Sequence, residues 1–137
     1  MNELFLDTSF SIGLVSPRDQ IHEKAITWAK KIEESKIPLV TTRAILLEIG
    51  NALSKLRFRQ VGVGLLENLE NDADTTIVSL TDELYKKAFE LFRNRPDKEW
   101  GVVDCISFVV MTERNIEAAL TSDKHYEQAG FRALLKE

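Results

Sequence analysis

Cysteine is nearly absent from this 137-residue chain, with Cys105 standing alone. One cysteine makes no internal disulfide, which excludes a disulfide-framed scaffold and fits a reducing cytoplasm. The two histidines, His22 and His125, lie far apart and with one cysteine give no recognisable zinc-ligand spacing. No apolar run approaches the roughly 18 residues that a membrane span needs. The opening "MNELFLD" lacks the basic start and long apolar stretch of a secretory signal. Repeats, low-complexity tracts and Pro/Gly/Ser-rich linkers are missing, and no G-x-G-x-x-G follows the first apolar run, which argues against dinucleotide binding. A positive excess is missing too: the net charge of -4 argues against a general nucleic-acid coat, though not against a local basic strip. What remains is the expectation of one soluble cytoplasmic domain over residues 1–137, long enough to bury a single core.

Five short apolar runs punctuate the chain: "LFL" at 4–6, "IPLVT" at 37–41, "TIVSL" at 76–80, "EAALT" at 117–121 and "FRALL" at 131–135. Each is too short for an ordinary helix and is flanked by polar residues, so each reads as a strand. Helical periodicity fills the gaps over residues 19–35, 43–59, 82–93 and 102–115, the last apolar nearly all round. Gly130 reads as the C-cap of a short final helix, and "VGVG" at 61–64 as a loop or helix break. Strands alternating with helices predict an α/β fold: a mostly parallel central sheet of about five strands flanked by helices in three layers. Ligands of such sheets gather beyond the carboxyl ends of the strands. Asp7 ends the first run and Asp123 lies just past the fourth.

Two further acids sit on helices. At about 100° per residue, Glu48 falls at the edge of the apolar stripe of the 43–59 segment, with Lys55 and Arg59 close to the same line. Asp104 opens "VVDCISFVVM", where a carboxylate is favoured by the helix dipole and can cap free N–H groups. Taken singly, Asp7, Glu48, Asp104 and Asp123 are each explained by capping or by a solvated helix face. Brought to one sheet edge, they would repel. Two unit charges at ~4 Å interact by about 4 kcal/mol at an effective dielectric near 20, in a fold whose whole stability is ~5–15 kcal/mol. Such a cluster needs raised pKa values or a bound cation, and oxygen ligands point to Mg²⁺ or Mn²⁺.

"FLDTS", the Glu48 helix, "EWGVVDCISFVVM" and "ALTSDKHYEQAGFRALL" together resemble the successive blocks of a PIN domain, and more narrowly the VapC-type toxin ribonucleases of toxin–antitoxin pairs. The resemblance runs from Asp7 to about Leu135. By position it implies that Asp7, Glu48, Asp104 and Asp123 are the acidic quartet around the metal, with Ser9, Thr121 and Ser122 as supporting polar groups. Where many relatives have Thr or Ser before the third acid, this chain has Val103. The implied reaction is hydrolysis of a transfer or ribosomal RNA phosphodiester by a metal-activated water, leaving a 5′-phosphate and a 3′-hydroxyl. Mg²⁺ is the implied cofactor, with Mn²⁺ able to substitute. The implied partners are RNA, a small VapB-like antitoxin and a second copy of the chain.

Several other residues have two readings each. Lys55, Arg57 and Arg59 are candidate phosphate contacts or ordinary surface charges. His125 reads as a solvent-facing residue of a short helix, with RNA contact as the functional alternative. Cys105 reads as a buried small hydrophobe rather than a nucleophile. Two rival functions stand beside this reading, and the pattern fits each less well. One is a PIN-like scaffold that only binds RNA or protein. The other is a phosphatase or phosphotransfer domain using Asp7, although Ser9 stands where a haloacid-dehalogenase-type site places a second aspartate.

Overall fold

The computed structural model describes residues 2–137. Among them, five strands form one parallel sheet in the order β3-β2-β1-β4-β5: β1 (Leu4–Leu6), β2 (Leu39–Thr42), β3 (Thr75–Val78), β4 (Ala118–Leu120) and β5 (Arg132–Ala133). The α/β fold and the strand count agree with the sequence reading, with each strand within a few residues of its apolar run. Phe5 pairs with Val40 on one side and Ala119 on the other, and all three are fully buried. Burial on both faces is why these strands read as short continuous apolar runs instead of alternating ones.

The strand order sets the place of the site. From β1 the chain moves outward through β2 to β3, then returns to lay β4 on the other side of β1. The gap beyond the carboxyl ends of β1 and β4 is the topological switch point, where connecting segments leave in opposite directions and open a crevice. Asp7 follows β1 directly, and Thr121, Ser122 and Asp123 follow β4. The end of β1 is pinned by the buried Thr41, whose hydroxyl donates to the Leu6 carbonyl at 2.8 Å.

Seven helices connect the strands among the described residues: α1 (Thr8–Val15), α2 (His22–Ser35), α3 (Arg43–Ala52), α4 (Leu56–Asn71), α5 (Asp82–Asn94), α6 (Val102–Glu113) and α7 (Lys124–Gln128). α2, α5 and α6 lie where periodicity predicts them. The 43–59 segment does not form one helix. α3 ends at Ala52, Lys55 is extended, and a separate α4 starts at Leu56. "VGVG" is therefore inside a helix and not in a loop. The close approach of the two helices explains both differences: a Cβ at Gly62 would stand 3.0 Å from Leu53 Cβ, so the glycine lets α4 pack against the turn that ends α3. Hydrophobic spacing alone runs on across such a turn, because Leu53 and Leu56 stay in phase with α3.

α7 closes as expected at Gly130, which adopts φ +96°. The Gly130 N–H donates to Glu127 O at 3.0 Å and the Phe131 N–H to Tyr126 O at 3.0 Å, the paired bonds of a Schellman motif. This short helix is held by its cap and by Tyr126, which is fully buried against Phe5 and Phe108. Gly130→Ala should cost about 1–2 kcal/mol, the penalty of a left-handed backbone for an L-residue. Urea unfolding would read it as a lower midpoint at unchanged slope.

Candidate active site

Asp7 is the N-terminal flanking residue of α1, yet its side chain makes no cap to that helix. Its carboxylate is instead buried, with 7% exposure, and held by side-chain hydroxyls from two other places in the fold. Thr121 donates to Oδ2 at 2.7 Å, Ser9 to the same oxygen at 3.0 Å, and the Tyr126 phenol to Oδ1 at 3.0 Å. Burial dominates and raises the Asp7 pKa; the Thr121, Ser9 and Tyr126 hydroxyls and the Thr8 N–H oppose it. A capping role therefore does not account for Asp7.

The other three acids come from three different elements. Glu48, on the second turn of α3, is half-buried and accepts a 2.7 Å hydrogen bond from the Thr8 hydroxyl. Its pKa is raised, first by burial and then by the charges of Asp7, Asp104 and Asp123, with the Thr8 hydroxyl opposing. The four carboxyl groups thus share one electrostatic neighbourhood. Asp104 lies in the first turn of α6 and accepts the Gly101 N–H at 3.1 Å, so the capping part of its sequence reading holds. Burial and the nearby Asp123 raise its pKa, against the Gly101 bond and His125. Asp123 caps α7 by accepting the His125 N–H at 2.9 Å.

His125 is not solvent-facing as the sequence suggested. Its Nδ1 lies 3.0 Å from Asp104 Oδ2 and 3.4 Å from Asp123 Oδ1, with the side chain 21% exposed. One ligand atom each from Asp104, Asp123 and His125 falls within 4.8 Å of the others, a spacing that a single cation can bridge. Asp7 and Glu48 border this group without being in it. The backbone that carries Asp123 is tied to Asp7 through hydroxyls. The Asp123 N–H donates to Thr121 Oγ1 at 3.0 Å, and the Ser122 N–H to Ser9 Oγ at 3.2 Å. Ser9 and Thr121 therefore act as supports, whereas Ser122 contributes its backbone.

The basic candidates are less unified. With α3 ending at Ala52, Lys55 and Arg59 do not continue the line of Glu48. Arg59 spends its guanidinium on the Ser54 carbonyl, at 3.0 Å from Nε and 2.6 Å from Nη2, and so braces the α3–α4 turn. Arg57 lies over the Phe58 ring at 4.7 Å. Lys55 is exposed. Cys105 is fully buried and its thiol is pushed up to about 11 by burial and by Asp104, in keeping with a packing role.

Two residues at the site escape sequence reasoning. Thr8 stands between two polar residues already singled out in "LDTS", and its bond to Glu48 spans 40 positions. Tyr126 looks like core, and its ring is core; only its hydroxyl belongs to the site. The acids make a testable demand on the metal-free protein. Glu48 binds its proton more tightly when folded, so stability falls as pH rises from the usual glutamate value of 4.5 through the raised one, and then levels. Glu48→Gln removes that fall and keeps an acceptor for Thr8. In EDTA its Tm should exceed that of the unsubstituted protein at neutral pH, and the gap should close below about pH 4. A lower Tm at neutral pH would refute the raised carboxyl.

The PIN domain family model matches residues 4–132. The chain is 28% identical over 129 residues to the "23S rRNA-specific endonuclease VapC20" of two Mycobacterium tuberculosis strains, CDC 1551 / Oshkosh and H37Rv, covering 93% of this chain and 95% of each relative. The crystal structure of Mycobacterium tuberculosis VapC20, described as a sarcin–ricin loop cleaving toxin, superposes with a TM-score of 0.80 at 26% identity, again over 93% of this chain and 95% of that one. A family match over nearly the whole length, on a sheet whose switch point gathers the four acids, means that this chain belongs to the PIN-domain family.

Proposed function

We propose that this protein is a divalent-metal-dependent endoribonuclease, the toxin of a VapBC-type pair, that cuts a loop of ribosomal RNA. The observation that carries the reading is Asp7: a buried carboxylate at the switch point that does not cap its helix, and whose charge reaches Glu48 together with those of Asp104 and Asp123. Whole-length similarity to an endonuclease named for 23S rRNA supports RNA as the substrate and makes the sarcin–ricin loop the first site to test.

In this reading Asp7, Glu48, Asp104 and Asp123 hold the cation, and His125 lies close enough to join them. The donor set fits a hard cation such as Mg²⁺ or Mn²⁺, because carboxylate oxygens outnumber the single imidazole. When bound, the cation lowers the pKa of a water and offsets charge on the phosphate. The chain's own part is orientation. Thr121, Ser9 and Tyr126 fix Asp7, Thr8 fixes Glu48, and the Gly101 N–H fixes Asp104. The products carry a 5′-phosphate and a 3′-hydroxyl.

The same reading supplies partners. A small antitoxin covers the acidic crevice in the cytoplasm, where the chain works as a homodimer. The exposed apolar faces favour such contacts: Tyr85, Phe89 and Phe92 run along α5, and Leu47 and Phe58 flank the α3–α4 turn. No described helix is long and apolar enough to cross a membrane.

Purified protein with 23S rRNA should give discrete 5′-phosphorylated fragments in Mg²⁺ or Mn²⁺ and none in EDTA. Asp7→Asn and Asp104→Asn should each lower the cleavage rate by at least ~100-fold, the upper end of the loss expected for residues that only support ligands. Cleavage that persists in EDTA, or in both variants, would sink the metal-dependent mechanism. Intact 23S rRNA beside a cleaved transfer RNA would keep the nuclease and change its substrate.

A further inference from the structure

Asp7 receives three hydroxyl donors, and one of them differs from the others in how it is held. Ser9 and Thr121 sit on segments that leave the sheet at the site itself. The Tyr126 hydroxyl is the outer end of a ring buried in the hydrophobic core. That ring stands edge-on to Phe108 at 5.0 Å between centroids, and Phe108 stands edge-on to Trp100 at 5.1 Å. Phe5, the β1 residue two before Asp7, flanks Tyr126 from another side at 6.3 Å. Trp100 in turn donates to Gln128 Oε1 at 3.0 Å, tying the entry of α6 to the end of α7. The Schellman motif fixes the Tyr126 backbone as well, through the Phe131 N–H. The phenol oxygen therefore has little freedom to move.

A carboxylate with donors on Oδ2 alone can still rotate about its last bond. A donor on Oδ1 fixes the plane. We propose that Tyr126 is a positioning residue of the metal site: its core-locked hydroxyl, bonded to Oδ1, sets the plane of the Asp7 carboxylate for cation binding. This rests on the reading of Asp7 as a metal-holding group. It assigns to the aromatic core a second task beyond stability, because the packing of Phe5 and Phe108 on the Tyr126 ring, with Trp100 behind Phe108, reaches the metal site through one hydroxyl.

The test is titration of the full chain with Mn²⁺, without RNA, for the unsubstituted protein and for Tyr126→Phe. Loss of a group that orients a ligand typically costs 10–100-fold in metal affinity, so the Kd should rise by about that factor. In an Asp7→Asn background the same change should have no further effect, since the residue acts through Asp7. A purely structural tyrosine would lower Tm and leave the Mn²⁺ Kd where it was, and that result overturns the proposal. Should Tyr126→Phe not fold, 4-aminophenylalanine at position 126 keeps both the ring and a donor. It should bind Mn²⁺ within a few fold of the unsubstituted chain, and a Kd raised as far as ~10–100-fold would also overturn the role. RNA cleavage measured in parallel separates the two readings. Weakened Mn²⁺ binding with no cleavage by the unsubstituted protein removes the nuclease and leaves the Tyr126 role. Cleavage with unchanged Mn²⁺ affinity does the reverse, and no Mn²⁺ binding by the unsubstituted protein removes both.

Discussion

A carboxylate buried at the end of the central strand is the constraint around which this structure is arranged. Asp7 cannot be shed to solvent without moving β1, and β1 is the strand on which both halves of the sheet pair. An ionised acid in that place needs donors, and the fold brings them from 114 and 119 positions away, in Thr121 and Tyr126. The same bonds tie the β4–α7 turn to the β1–α1 turn. Local order at the crevice and solvation of Asp7 are thus one set of interactions.

The remaining acids make the crevice costly to the metal-free chain. Burial and mutual repulsion raise Glu48, and burial with Asp123 raises Asp104. Ordinary structural carboxylates are paired with cations, as Asp97 is with Arg95 on the surface. Here none of the four acids has a lysine or arginine partner among the described ion pairs; the one cationic candidate near them is the His125 ring between Asp104 and Asp123. A fold that leaves such charge unpaired gives up stability at a place where a bound cation would restore it, and that exchange is the physical basis of the proposed metal site.

Core and site are continuous. Aromatic packing that begins at Trp100 passes through Phe108 to Tyr126 and ends in a hydrogen bond to Asp7. The cap at Gly130 belongs to the same arrangement, since it closes the one short helix that carries Tyr126, His125 and, at its head, Asp123. A five-residue helix has little stability of its own. Tertiary packing and its two caps hold it in register with the sheet.

The sequence by itself determined the parallel α/β sheet, because continuous apolar runs of three to five residues between helical periods have few other solutions. It also marked the four acids, since Asp7 and Asp123 fall at strand ends by counting alone. It did not resolve the break between α3 and α4: Leu53 and Leu56 keep the helical phase across it, and only the packing of Gly62 on Leu53 reveals the turn. That break removed Lys55 and Arg59 from the line of Glu48. Nor did local pattern separate caps from candidate site residues. Asp104 and Asp123 cap helices as their positions suggest, whereas Asp7, with the same local signature, does not. His125, Thr8 and Tyr126 took their places only in three dimensions, because their partners lie 21, 40 and 119 residues away. Spacing along a chain reports which face of an element a side chain occupies; which distant group it meets there is fixed by how the elements pack.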